Sequence, residues 1–498
     1  MLNYTKINKM TSSELIGVLL AGGKGLRAYP TTKFTPKPLF KVDGETLLYK
    51  NIKILINDFK VKEIYIVVGH LGEQIINYVK KLNLNIKINF VHQEKIDGIA
   101  NALYLLKDDL QNKQFVVILA DEYYHEVDHS DLIKKISLNY SSIVTFINET
   151  NSNIIARNFT GNLKDDKVLN LIEKPKNTSE NLMGVGTYYF NDKVFDYIEK
   201  TPHSILRNEK EITDVISNMA KDLEVGYQII DVKYFNISSR ADLINVNYII
   251  RSLNFHKKKI SLIIPAYNEE KSIREVIEDY KSYDLFNEII IIDNNSKDNT
   301  NKIANDTGVK VVKETNQGYG KALMRGFKEA SGDIIFLTEA DGSFKGRDID
   351  KFITYLKESD MVIGTRTTRQ MIEQGSNMDW LTRWANVIFA KLIEILWWNS
   401  DPGVTPRFTD VGCTYRAVWK SSYNEIEDYL TSSGPEFAVE MMLALISTRQ
   451  RIIEIPISYF NRIGGESKHS GDFISKAKTA FKMMKVTLRI RLFNIKII

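Results

Sequence analysis

Two stretches of this chain join apolar, strand-like runs to loops whose residue types could handle phosphate. Residues 17–41 read GVLLAGGKGLRAYPTTKFTPKPLFK. Gly22, Gly23 and Gly25 follow the apolar run directly, and glycines there let backbone N–H groups approach phosphate oxygens. Arg27 comes next, and Lys37 stands inside Pro36-Lys37-Pro38. Two cations beside such a cradle suit a triphosphate and an attacking phosphate brought together. The spacing fits neither the Walker A loop nor the dinucleotide fingerprint. A second stretch opens on ISLIIPAYNEE at residue 260 and closes on EIIIIDNNSKDN at residue 299. Further on, IFLTEADG places Glu339 and Asp341 at alternating positions past an apolar run. Paired acids at a strand end suit a divalent cation bridging a diphosphate. The two loops differ in kind, so the expectation is two nucleotide-handling sites in series.

Size and charge bound the reading. At 498 residues the chain has room for two large α/β domains or about three ordinary ones. A net charge of +5 is small for this length and argues against nucleic acid as a partner. A lone cysteine, Cys413, excludes an intrachain disulfide framework and suits a reducing, cytoplasmic compartment. Residues 1–13 lack a signal-peptide apolar core. No run approaches the roughly 20 apolar residues of a membrane span.

The elements that must position these loops follow from hydrophobic periodicity. Strands are expected at Ile16–Ala21, Glu63–Val68, Lys87–Val91, Phe115–Ala120, Ile143–Ile147 and Val168–Ile172, with helices such as Thr46–Asn57 and Gly98–Lys107 between several of them. That rhythm predicts a mostly parallel α/β sheet. It restarts after the polar stretch Asn254–Lys258: strand Ile260–Pro265, helix Glu270–Tyr280, strand Glu288–Asp293, helix Asn299–Asp306, strand Lys310–Lys313, helix Gly320–Ala330, strand Asp333–Leu337. The expected division is therefore 14–250, a linker at 251–258, a second α/β domain at 259–470, and a basic, helical C-terminal segment at 471–498. Trp384–Trp398 reads as an apolar helix. The C-terminal segment is basic and apolar together; it is either a helix packed on its domain or a membrane-surface element.

With these residues in place, the first half resembles the sugar-1-phosphate nucleotidyltransferases, whose signature is a GGxGxR loop followed by Pro-Lys-Pro. The resemblance covers about residues 14–250, and its markers recur in family order. Gln93 and Gly98 in VHQEKIDGIANAL match the base-reading segment. Asp121 in VILADEYY matches the aspartate that holds magnesium. Glu173-Lys174-Pro175 matches the sugar and phosphate contact, and Gly186 in GVGTYYF lies in a further matching segment. Two departures stand out. Where the family places a second metal-binding aspartate, this chain has Asn236 in Tyr234-Phe235-Asn236-Ile237-Ser238-Ser239, a neutral oxygen that would bind metal more weakly. The usual Tyr-Gly beside the sugar is replaced by Arg157-Asn158-Phe159-Thr160. The resemblance implies attack by a phosphate oxygen on the α-phosphorus of a nucleoside triphosphate, with pyrophosphate leaving. Positioning and charge neutralisation by Arg27, Lys37, Lys174 and a cation on Asp121 would do most of the work.

The second half resembles the inverting family 2 glycosyltransferases with the GT-A fold, over about residues 258–470, and most closely their dolichyl-phosphate mannose synthase branch. The resemblance gives Pro265, Tyr267, Glu269 and Asp293 to the nucleoside, with Gly318, Gly320 and Lys321 in TNQGYGKALMRG following. Glu339 and Asp341 stand where the family has Asp-x-Asp. Gly364-Thr365-Arg366 and Arg383-Trp384-Ala385-Asn386 resemble the acceptor-phosphate region. Asp410 in TDVGCTYR, Glu436 and Glu440 in GPEFAVEMM, and Arg462 with Ser467-Lys468 match later markers. Asp410 is the candidate base if the acceptor is a hydroxyl; the alternative is a structural acid buried against Arg416. Arg462 or Lys468 would hold the leaving nucleoside diphosphate.

Together these readings imply a bifunctional enzyme that uses Mg2+ or Mn2+. It would make a nucleotide-sugar from a nucleoside triphosphate and a sugar phosphate, then transfer the sugar to a lipid-linked acceptor, expected to be a polyprenyl phosphate. The basic tail adds the expectation of a peripheral contact at the inner face of the cytoplasmic membrane. Three alternatives stay open: a catalytically dead nucleotide-sensing first domain, a glycan or protein hydroxyl as acceptor, and two halves that serve one pathway on different nucleotides.

Overall fold

The computed structural model describes residues 15–176, 181–204, 208–373, 380–398, 406–464 and 473–492. The chain divides into two compact units, Met1–Val246 and Asn247–Ile498.

The first unit is built on a sheet of nine strands among the described residues. In chain order they are β1 (Leu15–Ala21), β2 (Glu63–Val68), β3 (Lys87–His92), β4 (Gln114–Leu119), β5 (Ser142–Asn148), β6 (Phe159–Lys164), β7 (Lys167–Glu173), β8 (Leu182–Asn191) and β9 (Val225–Ile229). Their order across the sheet is β3-β2-β1-β4-β8-β5-β9-β7-β6. β1 lies parallel to both β2 and β4, with Ala21 opposite Val68 and Leu20 opposite Leu119. β8 runs antiparallel to β4 and β5, and β7 antiparallel to β9 and β6. The strands β1, β2 and β4 are buried along nearly their whole length. Helices therefore cover both faces, and the strands read as continuous apolar runs. The helix Leu47–Asn57 starts at Thr46, whose hydroxyl accepts from the Tyr49 N–H at 3.1 Å. The expected strands are all present. Missing from the expectation are β6, β8 and β9.

The second unit repeats the plan. Its strands are β10 (Ile260–Ala266), β11 (Glu288–Asp293), β12 (Lys310–Lys313), β13 (Ile334–Leu337), β14 (Met361–Thr365), β15 (Arg416–Trp419) and β16 (Ile452–Pro456). They lie in the order β12-β11-β10-β13-β15-β14-β16. β10, β11, β12 and β13 are parallel, β15 is antiparallel to its neighbours β13 and β14, and β16 is again parallel to β14. An almost fully buried helix, Phe437–Ser447, fills the core on one side of the sheet.

The expected linker at 251–258 is not a linker in form. The helix Arg240–Asn254 runs through its start and a 3-10 turn, Phe255–Lys257, completes most of it. Arg251 is buried, donates to the Ser359 carbonyl at 2.6 Å and pairs with Asp360 at 3.0 Å. Its guanidinium also lies over the Trp419 ring. The polarity of Asn254–Lys258 marks a solvated end of a helix, and the apolar Val246 and Ile250 on the preceding turns keep that helix packed.

The helix Phe473–Leu492 packs on the second unit through Val486, Thr487 and Ile490, which are buried. Arg489 reaches Glu440 and the Thr431 hydroxyl. One side of the basic segment is therefore part of the fold.

Candidate functional site

In the first unit, β1 delivers the glycine loop at its carboxyl end, the usual place for a ligand in such sheets. Gly22 lies so close to Gln93 that a Cβ there would meet Gln93 Oε1 at 2.6 Å. Gln93 is buried, and its N–H donates to the Val68 carbonyl at 2.7 Å. Gly25 has φ 61°, and a Cβ on it would press on Thr32 Cγ2 at 2.8 Å and Lys37 Cγ at 3.0 Å. The loop is thus folded over the stem of Lys37, where only glycine fits. Gly23 faces open space, and Arg27 is exposed on a short 3-10 turn.

Lys37 is buried, yet its ammonium reaches Asp121 Oδ2 at 3.0 Å. Asp121 follows β4 and is partly open to solvent. A buried cation beside a half-open carboxylate is a place where a charged ligand can be exchanged for a protein contact. The next residue, Glu122, turns the other way. Its carboxyl is buried, accepts from the Gly186 N–H at 2.8 Å and from the Tyr124 hydroxyl at 2.6 Å. Burial, with Asp121 beside it, pushes Glu122 up to about 7. A Cβ on Gly186 would strike Leu119 Cγ at 2.6 Å and Glu122 Cδ at 2.7 Å, so this strand can approach only as glycine. Sequence reading passed over Glu122. The signal available was a second acid directly after the strand-end aspartate.

Asn236 pairs with Glu122 across a short ribbon of Glu122–His125 and Lys233–Asn236. Its amide is engaged on both atoms: Nδ2 donates to Asn158 Oδ1 at 3.2 Å, and Oδ1 accepts from the Ser238 hydroxyl at 3.0 Å. Asn158 also receives the Lys174 N–H on its carbonyl at 2.8 Å. Asn236, Asn158 and Lys174 are thus fastened together, and Glu173-Lys174 sit at the end of β7. Gly98 has φ 87° and abuts the Lys210 carbonyl, where a Cβ would lie 2.4 Å away.

In the second unit the carboxyl ends of β10, β11 and β13 converge in the same manner. Pro265 and Tyr267 are half-buried at the end of β10. Glu269 is held by the Thr300 hydroxyl, which accepts its N–H at 2.7 Å. Asp293 is buried and shapes its own loop, accepting from the Ser296 N–H and from Asn301 Nδ2, each at 3.0 Å. Gly318 and Gly320 approach the backbone of Ser432 and Ser433 too closely for any side chain, and Gly320 N–H donates to the Ser433 carbonyl at 2.8 Å. Lys321 is exposed on the helix that follows.

Arg462 ties the site together. One guanidinium nitrogen lies 3.0 Å from Glu269 Oε1 and the other 3.1 Å from Asp341 Oδ2. The remaining Asp341 oxygen accepts from the Ser343 N–H and hydroxyl at 2.9 and 2.6 Å. Glu339 accepts from the Thr414 hydroxyl at 2.6 Å. Burial, and then the charge of Asp341, push Glu339 up to about 7.

Asp410 is fully buried, and its partner is Arg366, not Arg416. Arg366 donates Nε to Oδ2 at 2.7 Å and an Nη to Oδ1 at 2.9 Å, and its backbone N–H adds a third bond at 3.0 Å. Arg416 instead donates to the carbonyls of Cys413, Val411 and Ala438. Glu454, unnoticed in the sequence, fixes the same loop by accepting from the N–H groups of Thr409 and Asp410. Arg383 is half-buried on the helix Trp380–Leu396. Ser467 and Lys468 lie outside the described residues.

Metal fit can be tested on these donors. Glu339 and Asp341 are hard oxygen ligands, and the charge of Asp341 helps raise Glu339, a repulsion that a divalent cation relieves. In the first unit Asp121 is the charged oxygen that faces the loop, and Asn236 already spends its amide within the protein. Among the described residues no group of three or more acid, histidine or cysteine side chains forms a ready metal cage. Both sites therefore fit a cation brought in on phosphate oxygens.

The comparisons agree with the two-part geometry. Residues 16–252 match the family model described as nucleotidyl transferase, and residues 261–411 match glycosyl transferase family 2. The chain joins a nucleotidyl transferase domain to a glycosyl transferase family 2 domain. Over the first domain it is 32% identical across 232 residues to the Bifunctional protein GlmU of Methanococcus aeolicus, covering 46% of this chain and 53% of that protein. The chain spans about half the length of such relatives. Over the second it is 27% identical across 234 residues to the undecaprenyl-phosphate mannosyltransferase of Micrococcus luteus, covering 44% of this chain and 90% of that protein. It is also 27% identical across 240 residues to the dolichol-phosphate mannosyltransferase of Pyrococcus furiosus, covering 47% of this chain and 63% of that one. A solved UDP-glucose pyrophosphorylase complexed with UDP-glucose is 21% identical, with a TM-score of 0.43, and covers 49% of this chain and 98% of its own.

Proposed function

We propose that the chain is a bifunctional enzyme: the first domain makes a nucleotide-sugar, and the second transfers its sugar to a polyprenyl phosphate. The observation that carries the reading is that each unit, by itself, holds a cation against an aspartate beyond its fourth strand, Lys37 on Asp121 and Arg462 on Asp341. Charge placed there is charge placed where phosphates react.

In the first domain the oxygen of a sugar phosphate attacks the α-phosphorus of a nucleoside triphosphate, and pyrophosphate leaves. Lys37 binds the triphosphate as it exchanges its contact with Asp121. The glycine loop and Arg27 hold the phosphates, Gln93 and Gly98 border the base, and Glu173, Lys174 and Gly186 border the sugar phosphate. In the second domain Pro265, Tyr267, Glu269 and Asp293 border the nucleoside. The acceptor oxygen attacks the anomeric carbon with inversion, and the nucleoside diphosphate leaves toward Arg462. A divalent cation, held by Asp121 in one domain and by Glu339 and Asp341 in the other, would neutralise phosphate charge.

The acceptor follows from Asp410. Its two oxygens accept three bonds from Arg366, so it is poorly placed to take a proton from a hydroxyl. A phosphate acceptor is ionised near neutral pH and needs no base. The names of the matching mannosyltransferases carry polyprenyl phosphates of the same class. A glycan hydroxyl would need another base. The Lys37–Asp121 contact speaks against a dead sensing domain. The test is a product screen. The full chain is incubated with each nucleoside triphosphate and a panel of phosphorylated sugars, and pyrophosphate is followed. The donor found is then supplied with a short polyprenyl phosphate. Release of pyrophosphate from no pair would overturn the first half, and transfer only to hydroxyl acceptors the second.

A further inference from the structure

The helix Trp380–Leu396 and the turn after it bury Ala390 and Ile393 in the core of the second unit. The opposite side is left bare. Trp384, Ile388, Ile395 and Trp398 are 55, 66, 71 and 70% exposed. Their spacing of four, seven and three residues sets them along one stripe of a helix. Large apolar residues exposed in a row mark an interaction surface, whereas scattered single ones do not.

The helix Phe473–Leu492 is its neighbour. Its inner residues Val486 and Ile490 enter the same core cluster as Ala390 and Ile393. Arg491 lies over the Trp397 ring at 5.8 Å, one residue from exposed Trp398, which itself lies under Arg407. On the outer side of this second helix Phe481, Leu488 and Leu492 are exposed. Lys478, Lys482 and Lys485 are exposed among them. The helix has no acidic residue, and the one acid in Trp380–Leu396, Glu394, is turned inward onto Lys391 and the Phe408 N–H.

We infer that these two outer helix faces together dock on an anionic lipid bilayer. Tryptophan and isoleucine side chains enter the headgroup boundary, and the exposed lysines Lys478, Lys482 and Lys485 meet the lipid phosphates. A second copy of this chain fits less well, because two such faces would bring like charges together. Among the described residues no helix is long and apolar enough to cross a membrane, so attachment would be on the surface. The inference concerns attachment and holds whichever acceptor the second domain uses.

The experiment sediments the full chain with vesicles of phosphatidylcholine alone, or of phosphatidylcholine and phosphatidylglycerol in equal parts. The parent is expected to sediment with the anionic vesicles only and to be released by salt. Ile395→Ser with Trp398→Ser should weaken binding at least tenfold at all salt concentrations. Lys482→Glu with Lys485→Glu should abolish the anionic preference. Both variants should keep the parent's melting temperature and its pyrophosphate release, which shows that they fold. A parent that stays in the supernatant at low salt overturns the inference. So does equal binding by parent and Ile395→Ser/Trp398→Ser, and so does a parent dimer that this pair dissolves while no form binds vesicles.

Discussion

The first and second units solve one problem twice with different residues. Each sheet opens in the spatial order third, second, first, fourth, then a reversed strand, then the fifth: β3-β2-β1-β4-β8-β5 and β12-β11-β10-β13-β15-β14. In each, an aspartate beyond the fourth strand meets a cation, and a buried glutamate beside it is pushed up to about 7. The difference lies in where the glutamate points. Glu122 faces into the protein and holds Gly186 and Tyr124. Glu339 stays with Asp341 at the site, under Arg462 and Thr414. One unit presents a single carboxylate with a lysine; the other presents two, with an arginine that bridges Asp341 to Glu269. On the proposed function, the same sheet would support a site that assembles a diphosphate and a site that releases one.

The largest expected effect breaks the second site alone. Asp341→Asn removes the charge that holds Arg462 and, on the proposed function, one of the two charged ligands for a cation. Transfer from supplied donor should fall by roughly two to three powers of ten, and pyrophosphate release should persist. Radiolabelled sugar transfer measures the first and a coupled phosphate assay the second. Metal-independent transfer by the parent enzyme would show that this pair of carboxylates is not a cation site.

The mirror experiment is Lys37→Ala. A charge-assisted contact to developing phosphate charge is worth roughly 3 kcal/mol, about a hundredfold in rate. Pyrophosphate release should drop by that factor with transfer intact. Loss of both activities together would mean that the two units do not act separately.

How much of this comparison was open to the sequence depends on range. The β runs and helices around Leu19, Ile66, Ile263 and Ile291 are local patterns, and they appear close to where periodicity places them. Lys37, Asp121, Asp341 and Arg462 were visible as chemistry-bearing residues in ordered motifs. Their pairing was not, because contacts 84 residues apart, as for Lys37 and Asp121, are set by the sheet and not by spacing. The same limit explains Asp410, read as a candidate base with burial against nearby Arg416 as its structural alternative, when Arg366, 44 residues away, is the partner. Strand β8 was missed because it is buried on both faces and glycine-rich at Gly184 and Gly186, so it shows no alternation.

A smaller effect sharpens the role of Asp410. Arg366→Lys keeps one charge but loses the fork that grips both carboxylate oxygens. Transfer should fall roughly tenfold, and the variant's pH profile should keep the parent's shape, since Asp410 is held as a structural partner. A new acidic limb in the profile would restore Asp410 as a base.

The smallest effect tests whether Glu122 truly differs from Glu339 in purpose. Glu122 is pushed from 4.5 up to about 7 by burial, with Asp121 adding to it. A carboxyl with a raised value in the folded state favours folding fully below its ordinary value. That contribution is lost as pH climbs through about 7. Between about pH 6 and about pH 8 the parent should therefore lose on the order of 1 kcal/mol of stability through this group. Glu122→Gln is neutral throughout and keeps an oxygen for the Gly186 N–H and the Tyr124 hydroxyl, so its melting temperature should fall less than the parent's over that range, with Glu339 still titrating in both proteins. Near pH 6, where an unfolded carboxyl at 4.5 is already ionised, Glu122→Gln should be more stable than the parent by on the order of 2 kcal/mol with similar pyrophosphate release, and the two should match only below about pH 4.5, whereas Glu122→Ala, which strips both bonds, should cost about 2 kcal/mol relative to Glu122→Gln. The measurement is thermal unfolding in the presence of a chelator, so that no cation on Asp121 changes the field at Glu122. If Glu122→Gln abolishes pyrophosphate release while it melts no earlier than the parent, Glu122 acts on the reacting phosphates, and the contrast drawn between the two buried glutamates is wrong.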